Sequence, residues 1–455
     1  MTGNGGRVVV VGGGLAGLSA ALACANGGAE VTLLEARPRL GGAAVSFRRG
    51  GLWVDTGQHV FLRCCTAYRG FLRAIGSDGL TTVQPRLSIP VLAPDGRTGW
   101  IRRGRLPAPL HLAPALLRYP FIGARDRLRV GLAARALARL DPADRDLDTR
   151  TFRAWLDQHG QTPGSIDALW DLFALPALNV PADEASLALA AKVFRTGLLS
   201  HRDAGDIGYA TAPLSAVHGD AAHRALASAG AEVRLRSQVR SVEIGADGKP
   251  TVRAEDSELD AEAVIVAVPH DRVAAILPPA TLSIPPEGLS GLGSSPIVNV
   301  HVVYDRRVTD LPFAAGLRSP VQWVFDRTGP SGLDRGQYLA VSVSAAVREI
   351  DKPTEELGAV FLPALQRMFP RARDAVVQSF FVTRERAATF RQAPGTAALR
   401  PGAATEVPRL FLAGAFTDTG WPATMEGAVR SGLAAARAAL ISLGRTGRLP
   451  QEVAA

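Results

Sequence analysis

The sequence predicts an α/β protein organised around a parallel β-sheet, and three features of its first 35 residues support this prediction. Residues 7–11 form a short run rich in valine, which is typical of a strand buried on both faces of a parallel sheet. Residues 15–25 are rich in alanine and leucine and favour a helix. Residues 30–34 form a second apolar run. A strand, a helix and a second strand in this order predict a βαβ unit with two parallel strands.

The turn after the first strand carries glycines with the spacing of a phosphate-binding motif. Gly12 permits a tight turn, Gly14 lets a pyrophosphate approach the backbone, and Gly17 lets the helix pack closely on the strand. The free N–H groups at the start of the helix favour an anion there. Glu35 is placed to accept hydrogen bonds from adenosine ribose hydroxyls, and its charge argues against a 2′-phosphate. The residues predicted to contact the dinucleotide are Gly12, Gly14, Leu15, Ala16, Gly17, Glu35, Ala36 and Arg37.

The segment after the second strand favours FAD over NAD. Arg39 is followed by Gly41 and Gly42, which extend the motif beyond what a nicotinamide-binding domain needs. Here the chain resembles the flavin amine oxidase and phytoene (carotenoid) desaturase superfamily, in which a second Gly-Gly pair lies along the FAD pyrophosphate. The resemblance implies a Rossmann-like FAD-binding domain of the glutathione-reductase/amine-oxidase type, interleaved with an α+β substrate domain. The superfamily usually has an arginine where this chain has Ala43.

The resemblance also implies flavin contacts far along the chain. Residues 54–59 match an Asp-x-Gly turn that lies against the isoalloxazine ring, and a valine at position 239 would contact the adenine side. A strand at residues 410–412 precedes a helix predicted over residues 423–443, whose positive end would point at the pyrimidine ring of the flavin. These segments add Gly41, Gly42, Gly57, Gln58, His59, Val239, Gly414, Ala415, Pro422, Ala423, Thr424 and Met425 to the predicted cofactor contacts.

Three details of the carboxyl-terminal segment refine this prediction. Pro422 is suited to the first turn of the helix, and Glu426 would lie in that turn. Ala415 stands where the superfamily commonly has an acid that binds the ribityl chain. The region contains no cysteine, so the cysteinyl-flavin link of some amine oxidases is excluded and we expect non-covalent FAD.

The cofactor domain is predicted to be discontinuous. It would comprise residues 1–90, 205–275 and 400–455, whereas residues 91–204 and 276–399 would form the substrate-binding domain. Within the cofactor domain, residues 231–235 and 239–244 are predicted to be paired strands, with a further strand at residues 262–269. Within the substrate domain, residues 106–191 are mainly helical by pattern, and residues 297–344 favour a sheet. The glycine-rich residues 288–293 follow two prolines rather than a strand, so we reject a second nucleotide site there.

Residues 106–122 are apolar and follow Arg102, Arg103 and Arg105. We interpret this stretch as the buried lining of a substrate cavity. Shallow insertion into an anionic membrane surface is the alternative.

Composition indicates a globular protein rather than a nucleic-acid-binding or membrane-spanning one. The formal net charge is +9, with only three lysines, and no block of like charges with interleaved aromatic residues supports RNA or DNA binding. Cys24, Cys64 and Cys65 lack metal-ligand spacing, so no metal is expected, and they indicate a reduced, cytoplasmic environment. We recognise no signal peptide, and we interpret the apolar residues 8–25 as a buried strand, turn and helix rather than a membrane span. Peripheral contact with the inner face of the membrane stays open as an alternative.

A narrower resemblance covers the chain from the first strand to the last helix. The motifs DTGQHVFLRCCTAYRGFL, SPIVNVHVVYDR and AGAFTDTGWPATMEGAVRSG resemble the squalene-associated FAD-dependent desaturases, the hydroxysqualene dehydroxylases. Members of this family replace the allylic hydroxyl of hydroxysqualene with hydride from reduced FAD, giving squalene for isoprenoid and hopanoid biosynthesis. The resemblance implies a long apolar isoprenoid as substrate, and an upstream synthase is the protein partner that it suggests.

The leaving hydroxyl needs a proton, and His59, Asp55 and Asp418 are the candidate acids. Each has a structural alternative: packing under the turn for His59, turn formation for Asp55 and helix capping for Asp418. Three other functions stay open. They are a carotenoid or phytoene-type desaturase, another flavin amine oxidase-like oxidoreductase such as an amine or protoporphyrinogen oxidase, and a non-enzymatic prenyl-binding protein on the same fold.

Overall fold

The computed structural model of this chain describes residues 6–446 except 279, 283 and 285. The ends of the predicted cofactor domain, residues 1–5 and 447–455, lie outside the described residues. In chain order, the described strands are β1 (Arg7–Val11), β2 (Glu30–Glu35), β3 (Ser46–Arg49), β4 (Leu52–Asp55), β5 (Val60–Leu62), β6 (Thr81–Val83), β7 (Ser88–Leu92), β8 (Thr98–Arg102), β9 (Ile207–Ala210), β10 (Glu232–Leu235), β11 (Val239–Ile244), β12 (Pro250–Ala254), β13 (Glu258–Asp260), β14 (Ala263–Val266), β15 (Ser295–Tyr304), β16 (Phe313–Gly316), β17 (Trp323–Asp326), β18 (Gln337–Ser344), β19 (Val377–Thr389) and β20 (Leu410–Leu412).

The helices are α1 (Leu15–Asn26), α2 (Thr66–Ala74), α3 (Ala113–Arg118), α4 (Ala124–Leu137), α5 (Phe152–Gln158), α6 (Pro163–Ser165), α7 (Asp171–Leu178), α8 (Leu187–Phe194), α9 (Ala221–Ser228), α10 (His270–Ile276), α11 (Thr328–Ser331), α12 (Thr354–Met368) and α13 (Met425–Ser442). None of the described helices combines the length and the apolar character needed to cross a bilayer.

A parallel sheet in the order β10-β2-β1-β14-β20 forms the first layer of the described chain. Its valine-rich central strand β1 is buried on both faces, as the sequence predicts. The strands of this sheet come from three separated stretches of the chain. In the central strand, Val9 lies opposite Thr32 of β2 on one side and Val264 of β14 on the other. The predicted α/β fold is confirmed, and the carboxyl ends of β1, β14 and β20 meet at one edge.

The predicted pairing of residues 231–235 with residues 239–244 is wrong. Strand β10 pairs with β2 at the edge of the parallel sheet, whereas β11 pairs with β12 in a separate antiparallel sheet. Between them Arg236 has a φ of 56°, a left-handed conformation that turns the chain away from β10. The backbone N–H of Ser237 donates to the Glu35 carbonyl, which holds this turn against the end of β2.

A mixed sheet in the order β19-β15-β18-β17-β16-β7-β8 forms the second layer. It contains the strands expected within residues 297–344, and helices α3 to α8 lie within or close to the region predicted to be mainly helical. Residues 106–122 do not form a continuous buried lining. Tyr119 and Phe121 are buried, but Leu106, Leu110 and Leu117 are exposed.

Helices α1 and α13 pack closely on one face of the parallel sheet. A Cβ on Gly432 of α13 would lie 2.1 Å from the Ala16 carbonyl oxygen and 2.2 Å from Ser19 Oγ. The hydroxyl of Ser19 donates to the Ala16 carbonyl within α1 and lies 3.4 Å from the Val429 carbonyl oxygen of α13. Only a residue without a side chain fits here, and the contact brings the first turn of α1 against the amino-terminal half of α13.

We expect Gly432→Ala to lower the free energy of unfolding by about 1–3 kcal/mol, since overpacking a close contact outweighs the helix propensity of alanine. Urea denaturation measures this change. The matched control is Gly131→Ala in α4, where an added Cβ meets no atom within 4 Å. There the same substitution should stabilise by up to about 1 kcal/mol. Equal stability of the two variants would contradict the packing argument.

Candidate functional site

The glycine turn after β1 forms an anion-binding helix terminus. Gly14 is the N-cap of α1, no side chain caps this end, and its first turn contains no acidic residue. Gly12 has a φ of 106°, and a Cβ on Gly17 would lie 1.9 Å from the Gly12 carbonyl oxygen. The turn therefore excludes side chains and leaves the helix N–H groups available to an anion.

Glu35 has a second role that sequence reasoning missed. Its buried carboxylate accepts hydrogen bonds from the N–H of Gly13 and the N–H of Arg37, both at 2.7 Å. The residue thereby fixes the glycine turn to the end of β2. Each carboxylate oxygen can accept a further bond, so contact with a ribose hydroxyl stays compatible with this geometry. Val239, the predicted adenine contact, is buried in the same apolar cluster as Leu34.

The second Gly-Gly pair lies against the first turn. The N–H of Gly41 donates to the Gly13 carbonyl at 2.8 Å, and a Cβ on Gly42 would come within 2.8 Å of Gly14 Cα. Both Gly41 and Gly42 have positive φ. Two side-chain-free turns thus face each other beside an uncapped helix terminus, and these residues fit the diphosphate of a bound FAD.

Ala43, which replaces the superfamily arginine, has only its backbone engaged. Its carbonyl accepts a hydrogen bond from Thr56 Oγ1 at 2.6 Å, which ties the second glycine turn to residues 54–59. Beyond Thr56, Gln58 Nε2 is buried without a hydrogen-bond partner among the described residues, as is Asn299 Oδ1. Asn299 Nδ2 donates to the Thr56 carbonyl, so these two orphaned atoms flank the same turn. Unpaired buried polar atoms are costly, and the polar edge of a flavin ring would suit them.

Asp55 lies at the centre of a buried polar network. One carboxylate oxygen accepts from the Ser46 hydroxyl at 2.6 Å and the Leu214 N–H at 3.1 Å. The other forms an ion pair with Arg327 at 2.7 Å, and Arg327 also donates to the Ala210 carbonyl. Every carboxylate oxygen of Asp55 is thus engaged, and the network joins β4 to the turn after β17. Sequence reasoning missed Arg327 because no motif surrounds it.

His59 contacts its own turn. Its Nδ1–H donates to the Gly57 carbonyl at 3.0 Å, which leaves Nε2 as the free ring nitrogen. Burial lowers the pKa of His59, and this effect outweighs the opposing influence of the Gly57 hydrogen bond and of Asp55. The imidazole is therefore neutral near pH 7, with a lone pair rather than a proton on Nε2.

The carboxyl-terminal helix begins later than predicted. Thr424 is its N-cap, and the Thr424 side chain accepts from the Gly427 N–H at 3.2 Å, so α13 starts at Met425. Pro422 therefore precedes the cap instead of lying in the first turn. Ala423 N–H donates to Gln392 Oε1, which fixes the chain just ahead of the helix.

The loop between β20 and α13 is held by Arg400. Its buried guanidinium donates to the carbonyls of Phe416, Thr417 and Trp421. Asp418 is exposed on this loop and accepts a hydrogen bond from the Gly420 N–H at 3.2 Å. The cap of α13 is thus Thr424 and not Asp418. Gly414 and Ala415 follow β20 at the carboxyl edge of the sheet, where the glycine turn after β1 also lies.

A buried cationic cluster lies beside the start of α13, and sequence reasoning missed it. Lys192 Nζ lies 4.9 Å from the centre of the Trp421 ring, and the Arg430 guanidinium lies 4.7 Å from it. Glu426 pairs with Arg430 at 2.7 Å and accepts the N–H groups of Ala67 and Tyr68 at the start of α2. Glu426 is thus in the first turn, as predicted, but it caps another helix.

Lys192 is a buried cation without a carboxylate partner among the described residues. Its side chain is 9% exposed, and within the described chain no carboxylate oxygen lies within 4.0 Å of Nζ. Burial lowers the pKa of Lys192 below its ordinary value of 10.5, and the nearby Arg430 and Arg195 lower it further, although Cys64 and Glu426 oppose them. A sequence signal existed: Lys192 is a lone charge in the apolar stretch LALAAKVF. Among the described residues, no group of acidic, histidine and cysteine side chains could hold a metal ion.

A parallel sheet with two glycine turns at its carboxyl edge defines a dinucleotide-binding protein. The chain belongs to the flavin-containing amine oxidoreductase family, whose sequence profile it matches over residues 15–440. It is therefore an enzyme of the flavin-dependent oxidoreductase class.

Individual relatives are similar over nearly the whole chain. It is 30% identical to a hydroxysqualene dehydroxylase of Sinorhizobium fredii, over 95% of this chain and 98% of the relative. It is 31% identical to that of Rhodopseudomonas palustris, over 94% and 97%. A 15-cis-phytoene desaturase of Synechococcus elongatus is 24% identical, over 95% of both chains. The predicted resemblance to the hydroxysqualene dehydroxylases is thus confirmed.

Solved structures support the fold. The structure of putrescine oxidase bound to putrescine superposes with a TM-score of 0.72 and 21% identity, over 96% of this chain and 98% of that one. Cyclohexylamine oxidase from Brevibacterium oxydans gives a TM-score of 0.71 at 18% identity, over 96% and 99%. At such identities the likeness concerns the fold alone.

Proposed function

We propose that this chain binds FAD non-covalently and uses it in reduced form to replace the allylic hydroxyl of hydroxysqualene with hydrogen, giving squalene. The observation that carries the substrate assignment is the similarity to hydroxysqualene dehydroxylases over nearly the full length of both chains. The paired glycine turns and the uncapped start of α1 support the cofactor. Bound reduced FAD would supply the hydride, as the cofactor carries the hard chemistry in such enzymes.

The protein itself must provide a proton, because the hydroxyl leaves readily only as water. Each of the three candidates from the sequence has a feature that argues against it as the proton donor. Asp55 has both oxygens occupied by Ser46, Leu214 and Arg327. His59, when neutral with its proton on Nδ1, presents a lone pair from Nε2 and accepts a proton rather than donating one. Asp418 is exposed on its loop, where water would compete for the reaction.

Lys192 meets the requirements of the proton donor better. Its ammonium group is buried beside Trp421, which precedes the start of α13 by four residues, and no carboxylate of the described residues pairs with it. A pKa lowered by burial makes an ammonium group a stronger acid. When Lys192 protonates the hydroxyl, the C–O bond breaks, water leaves, and the positive charge moves from the lysine to the allylic carbon. The neutral amine that remains does not repel that carbon.

Two measurements test the proposed function. Acid denaturation of the purified protein should release all of its FAD into the supernatant, whereas flavin that stays on the polypeptide would contradict non-covalent binding. Under anaerobic conditions, the chemically reduced protein should convert hydroxysqualene to squalene as its flavin becomes oxidised. The control is the same protein with oxidised flavin, which should form no squalene.

The alternative functions give different outcomes when the purified protein is tested under the same anaerobic conditions. Reduction of the oxidised flavin by phytoene would indicate a desaturase, and reduction by an amine would indicate an amine oxidase. A colourless protein that binds the isoprenoid without flavin would indicate a prenyl-binding role. Any of these outcomes without squalene formation would overturn the proposal.

A further inference from the structure

Five exposed leucines lie in one short part of the chain. The exposed fractions are 48% for Leu106, 57% for Leu110, 67% for Leu117, 68% for Leu128 and 61% for Leu132. They belong to the loop after β8 and to helices α3 and α4, which pack against each other. Exposed leucines scattered singly over a surface need no explanation, but a group of five confined to adjoining elements marks an interaction site.

Helix α4 shows that this exposure is organised. Its buried residues Val130, Ala133 and Leu137 recur at helical spacing and face the protein interior. Leu128 and Leu132 are four residues apart and therefore lie on one face, which is opposite the buried one. The outer face of α4 thus presents leucines among its arginines, whereas the outer side of a helix that only covers a core is typically polar.

The same stretch carries most of the net positive charge of the chain. Residues 102–139 contain nine arginines and one acidic residue, so their formal net charge is +8, whereas the whole chain has +9. Within the described residues, six exposed arginines of this stretch have no carboxylate within ion-pair distance: Arg102, Arg105, Arg118, Arg125, Arg135 and Arg139. Guanidinium groups without carboxylate partners, placed beside exposed leucines, suit a surface at which anionic groups border an apolar interior, as in a lipid bilayer.

We propose that this arginine–leucine surface, residues 102–139, docks the protein on a lipid bilayer that carries anionic headgroups. The leucines enter the acyl boundary while the arginines pair with lipid phosphates, which they can bind in a bidentate manner. A second copy of the chain is a poor occupant, because a self-complementary contact would bring two faces of charge +8 together. Docking goes beyond the proposed function and stands on this surface alone. One further consequence rests on the proposed function: an isoprenoid substrate dissolved in the bilayer would reach the enzyme from this surface.

Vesicle co-sedimentation of the full-length protein, without any substrate, tests the docking. We expect the protein to bind vesicles of phosphatidylcholine with phosphatidylglycerol, to bind phosphatidylcholine alone weakly, and to be released from the anionic vesicles by salt. The variant Leu117→Asn/Leu128→Asn/Leu132→Asn should partition at least about tenfold less. Replacement of Arg118, Arg125 and Arg135 by Gln should weaken binding to the anionic vesicles only.

A matched control uses other exposed apolar residues of similar size. Val347 and Val376 are 71% and 61% exposed but lie outside the arginine–leucine surface. The variant Val347→Asn/Val376→Asn should retain binding to within about twofold. Thermal denaturation checks that each variant is folded. Absence of binding to anionic vesicles, or equal binding by the leucine variant and the control, would overturn the proposal. So would a finding that the same leucines are needed for self-association or RNA binding instead. Because no substrate is present, failure here leaves the proposed reaction untouched.

Discussion

Replacement of Lys192 by Met is expected to slow flavin oxidation by hydroxysqualene by about 10²- to 10⁴-fold, the usual contribution of a positioned general acid. Methionine keeps the length and the apolar stem of the side chain but has no proton to give. The measurement is single-turnover kinetics with the reduced protein, which isolates the chemical step from product release. The absorbance spectrum should show that the variant still binds flavin, since Lys192 lies on α8 and is not part of the glycine turns.

The pH dependence separates a proton donor from a structural lysine. Only the ammonium form donates, so the wild-type rate should be highest at low pH and fall as the pH rises through the lowered pKa of Lys192, below 10.5. The single-turnover rate of Lys192→Met should not show this decrease with rising pH. Lys352→Met is the matched control, because that lysine is exposed and pairs with Glu356 at the surface. A wild-type single-turnover rate in Lys192→Met would remove Lys192 from the mechanism and return attention to His59 and Asp418.

Replacement of Arg327 by Met should lower the free energy of unfolding by about 3–5 kcal/mol, because it leaves a buried charge without its partner. The side chains of Arg327 and Asp55 are 9% and 6% exposed, so water cannot replace the lost guanidinium. Urea denaturation measures the change. The double variant Asp55→Asn/Arg327→Met should lose less than the sum of the two single variants, since it removes the uncompensated charge as well.

An exposed ion pair supplies the control for this prediction. Arg386 and Asp351 form an ion pair at 2.7 Å with side chains 67% and 76% exposed. Arg386→Met should change the stability by less than about 1 kcal/mol. A comparable loss from the two arginine variants would show that burial is not what makes the Asp55–Arg327 pair matter.

The parts of the site that could be predicted are those whose chemistry lies within a few consecutive residues. Gly12 and Gly17 stand at positions that only glycine can occupy, because atoms lie within 2.5 Å of where a Cβ would stand at each of them. Glu35 was predictable for a similar reason, because an acid at the end of the second strand faces the turn after the first. Its hydrogen bonds to Gly13 and Arg37 were not predicted, since they depend on the register of the two strands.

The parts that were missed depend on contacts between distant segments. Arg327 lies 272 positions from Asp55, and no local pattern indicates that pair. Lys192 comes close to Trp421 only because the fold brings α8 beside the loop that precedes α13. The β11 strand has the alternation expected of a strand, but one left-handed residue, Arg236, decided which sheet it would join.

The sequence by itself determined that this chain is an α/β protein with a dinucleotide turn at Gly12–Gly17, because strand burial, helix propensity and the steric demands of a phosphate turn act over short distances. The tertiary structure alone decided which face of residues 106–122 meets solvent, where β11 pairs and that the Lys192 side chain is buried beside Trp421. The apolar character of a side chain follows from the residue itself, but its burial depends on which other residues pack against it. Within the described chain Leu106, Leu110 and Leu117 are 48%, 57% and 67% exposed, so what was expected to line a cavity is an exposed surface.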